Sequence, residues 1–151
     1  MSELEQILNK NNEELRGLII EKMNEIESKI NKTISDYFQP QNRRDFSEII
    51  LNSSIINIGG KFKILKNIVS FDKKIIGDIQ EISAIRNYFA HASIVGPFTI
   101  TVTQAENSQE FNFPKQIRYM NSNGVIKQTA TEELIRNFHV LHKRIMEYFN
   151  R

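Results

Sequence analysis

The sequence predicts a mainly α fold: a bundle of four to five helices with a small antiparallel β-hairpin element inserted before the last helix. Three observations predict it. Apolar residues recur at three- and four-residue spacing through the first, middle and last parts of the chain, the period of an amphipathic helix. After Gly96-Pro97 the pattern switches to alternation in Phe98-Thr99-Ile100-Thr101-Val102-Thr103, the period of a strand with one face covered. The chain has 151 residues, 40% of them hydrophobic, and no long linker. It is therefore expected to form a single domain over 1–151 around one main core, with a β-containing insertion at about 97–130.

Residues 3–38 read as one long helix, with Leu15, Ile19, Met23, Ile26, Ile30, Ile34 and Tyr37 on its apolar face. Gly17 is tolerated there at some cost, and Pro40 stops the helical run. Either a coiled coil or a core-facing bundle helix with protruding first turns accounts for a stripe of this length. Residues 41–44 read as a polar turn and Asp45 to Ile58 as a second helix, buried through Phe46, Ile49, Ile50, Ile55, Ile56 and Ile58. Gly59-Gly60 is expected to break the chain. A short helix from about Lys61 to Val69 follows, with Phe62, Leu65, Ile68 and Val69 inward and Lys61, Lys63 and Lys66 in solvent. Ser70 or Asp72 caps the next helix, which runs to about Ala92 on Ile75, Ile76, Ile79, Ile82, Ile85 and Phe89.

Ile117–Met120 and Val125–Gln128 flank Asn121-Ser122-Asn123-Gly124, a four-residue hairpin connection. This element is too short to hold a core by itself and is expected to lie against helices. Thr129 or Thr131 caps the final helix, with Glu132 and Glu133 in its first turn and Leu134, Phe138, Leu141, Ile145 and Phe149 on its apolar face.

Composition removes several function classes. There is no cysteine, so disulfides, thiol catalysis and thiolate metal sites are absent together. No apolar run is long enough for a membrane span, and the acidic start Met1-Ser2-Glu3-Leu4-Glu5 is unlike a signal peptide; a cytoplasmic location without membrane contact is expected. Net charge is only +2, yet residues 1–38 carry five basic and eight acidic groups and 39–91 carry eight and five. Lys61, Lys63, Lys66, Lys73 and Lys74, together with Arg43 and Arg44, read either as an ordinary solvated face or as a surface for an anionic polymer such as RNA.

The stretch with most chemistry is Ile85-Arg86-Asn87-Tyr88-Phe89-Ala90-His91. Arg is always charged, and His is the side chain whose ordinary pKa lies near neutrality. Together they suit metal-free cleavage of a phosphodiester. His91 would take a proton from an RNA 2′-hydroxyl or protonate the departing 5′-oxygen, Arg86 would hold the phosphate, and Asn87 would orient either. Tyr88 packs or offers a hydroxyl. On one rigid helix, however, Arg86 and His91 point about 140° apart, whereas Asn87 and His91 share a face. Either the helix loosens near Ala92, or two copies close around a dyad. On residue chemistry alone the bland roles stay open: Arg86 paired with Asp78, Glu81 or a carboxylate of the first helix, and His91 as a cap or a hydrogen-bonded interior group.

Other constellations are poorer. His139 and His142 are too few for a structural zinc site, so no metal or cofactor is expected. Gly59-Gly60-Lys61 lacks the spacing of a phosphate loop. A helix-turn-helix over 45–69 would lack a compact basic recognition helix.

Arg86-Asn87-Tyr88-Phe89-Ala90-His91 resembles the R-x4-H motif of the HEPN superfamily, in which a polar residue commonly follows the arginine, as Asn87 does here. The wider stretch, Gly60-Lys61-Phe62-Lys63-Ile64-Leu65-Lys66 through Asp72 to His91, is similar to the MltR-like (mannitol operon repressor-related) branch. There a short amphipathic helix precedes a helix ending in a comparable motif. Residues 15–92 carry most of the likeness. The resemblance implies a HEPN-like helical homodimer with Arg86 and His91 near its interface. Many HEPN proteins are metal-independent endoribonucleases, often toxins or phage-defence effectors paired with an antitoxin. Others bind nucleic acid or regulate partner proteins without cleavage, and the MltR-like branch is regarded as regulatory. Both an RNase and a non-catalytic regulatory or protein-interaction module follow as expectations.

Overall fold

The computed structural model describes residues 2–68, 70–104 and 107–151. Val69, expected on the inward side of a short helix, lies outside the described residues. The elements run α1 (Glu3–Leu8), α2 (Asn12–Phe38), α3 (Arg43–Asp45) continued by a π-helical turn (Phe46–Ile50), α4 (Ile58–Asn67) and α5 (Lys73–His91). Then come β1 (Ser93–Val95), β2 (Phe98–Gln104), β3 (Asn107–Phe113), β4 (Gln116–Met120), β5 (Ile126–Ala130) and α6 (Thr131–Phe149). The protein is mainly helical, with its antiparallel strands before the last helix. Among the described residues no helix is long and apolar enough to cross a membrane.

The chain divides into two compact units, Met1–Ile19 with Ala84–Val140, and Ile20–Ser83 with Leu141–Arg151. Helices α2, α5 and α6 contribute residues to both.

The unit built on 20–83 and 141–151 is helical. Met23, Ile26, Ile30 and Ile34 of α2, Phe62 and Leu65 of α4, Ile75, Ile76, Ile79 and Ile82 of α5, and Leu141 and Ile145 of α6 are buried. Polar contacts fix how these helices meet. Asp78 of α5 pairs with Arg144 of α6 at 2.7 Å, and His142 Nε2 of α6 lies 3.1 Å from Glu25 Oε2 of α2. The Tyr148 hydroxyl of α6 accepts from the Asp72 backbone N–H at 3.2 Å. Asp72 caps α5, its carboxylate accepting from the Lys74 N–H at 2.8 Å.

Several expectations for this unit are corrected. The helix over 45–58 does not form. One helical turn and a π-helical turn end at Leu51, which is the buried residue there, while Ile49, Ile50 and Ile55 are 57%, 43% and 66% exposed. The two-helix arrangement around a glycine turn is therefore missing. Gly59 and Gly60 do not break a helix; they lie in the first turn of α4, whose N-cap Asn57 accepts from the Gly60 N–H at 3.0 Å. Tyr37 is 53% exposed rather than on the buried stripe.

The unit built on 1–19 and 84–140 is mixed. The single helix expected over 3–38 is interrupted at 9–11, where Asn11 starts α2 afresh. Its Oδ1 accepts from the Glu13 and Glu14 backbone N–H groups, and the Glu14 carboxylate accepts from the Asn11 N–H, a capping box. Leu15 and Ile19 of α2, Ile85 and Phe89 of α5, Ile117 of β4, and Ile135 and Phe138 of α6 are buried. On α6, Ile135 takes the place expected of Leu134, which is half-buried.

The strands form two sheets, a three-stranded one in the order β1-β4-β5 and the β2-β3 hairpin. The expected turn joins β4 to β5: the Asn121 N–H reaches the Val125 carbonyl at 2.9 Å, and Gly124 has φ +75°, a conformation that suits glycine. Strands β1 and β3 have no counterpart in the sequence pattern, so the β element begins at Ser93 rather than 97. The register pairs Phe98 with Phe113 and Ile100 with Phe111, which gathers the apolar side chains of the β2-β3 hairpin on one face. That face stays exposed, with Phe98, Ile100, Val102 and Phe111 each near half of full exposure.

Candidate functional site

Helix α5 carries the motif, and its geometry is regular to the end. The Ala92 N–H donates to the Tyr88 carbonyl at 2.8 Å, so the last turn is closed by an ordinary helical bond. The loosening that would bring Arg86 round to His91 does not occur. Phe89 is fully buried and anchors this end of the helix. Arg16 of α2 holds it from outside by donating to the Ala92 carbonyl at 2.9 Å, which satisfies one of the carbonyls a helix C-terminus leaves open.

One residue beyond Ala92 the chain becomes β1, which pairs antiparallel with β4 in the register Ser93 to Arg118, Ile94 to Ile117 and Val95 to Gln116. The sheet thereby brings β4 against the exposed side of the α5 terminus. Tyr119 of β4 stacks on Tyr88 of α5, ring centroids 3.9 Å apart and planes 25° from parallel. Tyr88 thus packs, and the partner it packs on comes from the β element. Burial, with smaller contributions from Tyr88 and Glu133, pushes the Tyr119 phenol above its ordinary pKa, so it stays protonated at neutrality.

Between the α5 terminus and β4 lies a cleft of about 570 Å³. His91 and Asn87 line it from α5, Arg118 and Tyr119 from β4, Ser93 from β1 and Asn121 from the β4-β5 turn. Among the described residues, no Asp or Glu lines it. His91 is exposed and, among the described residues, its ring engages no hydrogen-bond or ion-pair partner. It is therefore not acting as a helix cap.

Arg86 is not part of the cleft wall. It donates from Nη1 to Asn87 Oδ1 at 2.9 Å. Asp78, one of the carboxylates expected to pair with it, is engaged by Arg144. With its oxygen occupied, Asn87 has its amide N–H groups left to offer. The structure accordingly brings His91 and Asn87 together and leaves Arg86 behind Asn87.

The five lysines expected to meet a polyanion do not behave alike. Lys63, Lys66, Lys73 and Lys74 are exposed. Lys61 is fully buried, its ammonium paired with Glu27 and within 3.4 Å of the Ser53 hydroxyl. This corrects its assignment to a nucleic-acid surface: the ammonium is out of solvent and already paired, and breaking the pair would leave an uncompensated buried charge. Among the described residues no three His, Asp or Glu side chains cluster as a metal site would need.

Sequence reasoning missed Arg118. The available hint was a cation amid the alternation of β4, where Ile117 is buried and Arg118 exposed. Its nearness to the motif depends on pairing between strands far apart in the chain. No protein-family model, curated protein or solved structure matches the chain.

Proposed function

We propose that the cleft at the α5 terminus is the site of a metal-independent endoribonuclease. The observation that supports this reading is the composition of its wall: an exposed, unengaged imidazole, an amide with free donors and a guanidinium, with no carboxylate among the described residues. Such a wall favours an anion and supplies a proton-transfer group beside it. The 2′-oxygen attacks phosphorus, the bond from phosphorus to the 5′-oxygen breaks, and a 2′,3′-cyclic phosphate and a free 5′-hydroxyl result. His91 accepts the hydroxyl proton or delivers one to the departing oxygen, and Asn87 donates to a phosphate oxygen or orients the imidazole. Arg86 acts one step back, fixing which way the Asn87 amide faces. The HEPN-like motif supports the same reading, including its use as the toxin of a toxin–antitoxin or phage-defence system. It also supports a homodimer, in which two copies of His91 serve as base and acid. The exposed lysines 63, 66, 73 and 74 add non-specific attraction for RNA.

The test is incubation of single-stranded RNA with the purified chain in EDTA. Cleavage with cyclic phosphate ends, lost in His91→Ala and reduced in Asn87→Ala with the fold intact, is the expected result. RNA left whole by the wild-type chain would overturn the proposal.

A second reading is a non-catalytic HEPN/MltR-like regulatory or protein-interaction module. The exposed apolar face of the β2-β3 hairpin favours it, because contiguous apolar surface commonly marks a contact with another protein. This reading predicts a partner complex that survives His91→Ala and is lost with Phe111→Ser.

A further inference from the structure

We infer that Arg118, supplied by the β element, is the phosphate-binding guanidinium of this cleft and works beside His91 of the same chain. The inference rests on the ribonuclease reading and gives the guanidinium of the wall its role, since the arginine of the motif does not reach the cleft wall.

Three observations carry it. The first is placement. Arg118 sits directly across the β1-β4 ladder from Ser93, and Ser93 follows His91 by two positions. Facing Cα atoms in an antiparallel pair are about 4.5–5.5 Å apart. Backbone hydrogen bonds therefore set the separation of the imidazole and guanidinium stems, and no flexible loop intervenes. Both side chains line the one cleft.

The second is availability. The other arginines from 16 to 144 are committed. Arg43, Arg44, Arg136 and Arg144 pair with carboxylates, Arg16 holds the Ala92 carbonyl, and Arg86 holds Asn87. Arg118 is exposed and, among the described residues, has neither a carboxylate nor a carbonyl on its fork. A planar guanidinium with all five donors open is suited to bidentate binding of a phosphate.

The third is the wall around it. With no acidic group in the described lining, nothing there competes with a phosphate for Arg118. The Tyr88-Tyr119 stack forms part of the same wall and offers aromatic surface of the kind on which an unpaired base rests. The substrate class is thus single-stranded RNA bridging the cleft, its phosphate on Arg118 and its 2′-hydroxyl toward His91. This gives the β element a task in the chemistry, and it makes Arg118 and His91 a pair within one chain whatever the number of subunits.

The experiment compares Arg118→Gln, Arg118→Lys and Lys127→Gln in the full chain. Lys127 is an exposed cation on the neighbouring strand β5 that does not line the cleft. Cleavage of a labelled single-stranded RNA is measured in EDTA, and binding of the same RNA is measured separately in the His91→Ala background. Arg118→Gln is expected to lower cleavage about 10²-fold, the usual loss of one donor to a charge-developing centre. It should also weaken RNA binding with a shallower salt dependence, while Lys127→Gln changes neither. Arg118→Lys should restore binding more than cleavage, because an ammonium keeps the charge but loses the fork. Cleavage and binding unchanged in Arg118→Gln, or an equal loss in Lys127→Gln, would overturn the assignment and leave the ribonuclease reading standing. Wild-type chain that does not cut RNA would defeat that reading instead, and the binding arm would still decide whether Arg118 holds a phosphate.

Discussion

Tyr88 on α5 and Tyr119 on β4 stack at 3.9 Å between ring centroids, and this contact joins the helix that bears the motif to the strand that bears Arg118. The stack is a wall of the cleft as well as a structural tie. Aromatic pairs contribute about 0.5–1.5 kcal/mol beyond the area they bury. A double-mutant cycle with Tyr88→Leu and Tyr119→Leu, followed by urea unfolding, should give a coupling energy in that range. Strict additivity would mean that the two rings do not act together.

The Tyr119 proton gives a pH signature. Burial raises the phenol's folded pKa, so the folded state holds the proton more tightly than the unfolded state does. The associated stability is fully present below the unfolded phenol value of about 10 and is lost as pH rises through the folded value. Alkaline unfolding should therefore be less steep in Tyr119→Phe than in wild type, with no difference in slope near neutrality. Thermal melts at a series of alkaline pH values check this, and identical slopes would contradict it.

Lys61 and Lys63 lie two positions apart and should respond very unequally to truncation. Removing one member of a buried ion pair leaves the other charge uncompensated, at a cost of about 3–5 kcal/mol. Lys61→Ala should approach that loss because the lysine is fully buried against Glu27; Lys63→Ala should stay within about 0.5 kcal/mol, as exposed substitutions do. Denaturant midpoints of the two variants decide the matter.

The exposed lysines are assigned long-range attraction for RNA. Replacing Lys63, Lys66, Lys73 and Lys74 together by Gln should flatten the salt dependence of RNA affinity, by about 0.7 in slope for each single-strand phosphate no longer neutralised. It should leave the cleavage rate at saturating RNA near wild type. An unchanged salt slope would remove these side chains from the interface.

Where local patterning decides the structure, the sequence is readable. The stripe Ile26, Ile30 and Ile34 is fully buried, Asp72 caps α5, and the Asn121–Gly124 turn joins two strands. Each depends on residues within a few positions of one another. The break at 9–11 is also encoded locally, by Asn11 three positions before Glu14, but the continuous apolar period beyond it masks the signal. What fails is non-local. A lysine on an amphipathic helix reads as solvated until Glu27, thirty-four positions earlier, is found against it. Strand β3 has the polar composition of a loop and becomes a strand through pairing with β2. Half of the site is legible for the same reason: His91 and Asn87 are one helical turn apart, whereas Arg118 arrives only through the β1-β4 register.

The most direct measurement uses a DNA oligonucleotide containing a single ribonucleotide, incubated in EDTA with wild-type chain and with His91→Ala in parallel. Only the ribonucleotide has the attacking hydroxyl. Wild type should cut once, immediately 3′ of that ribonucleotide, leaving a cyclic phosphate, and His91→Ala should leave the strand whole. Cutting at deoxynucleotide positions, equal cutting by both proteins, or an intact strand when all-ribose RNA is cleaved would contradict attack by the 2′-oxygen assisted by His91.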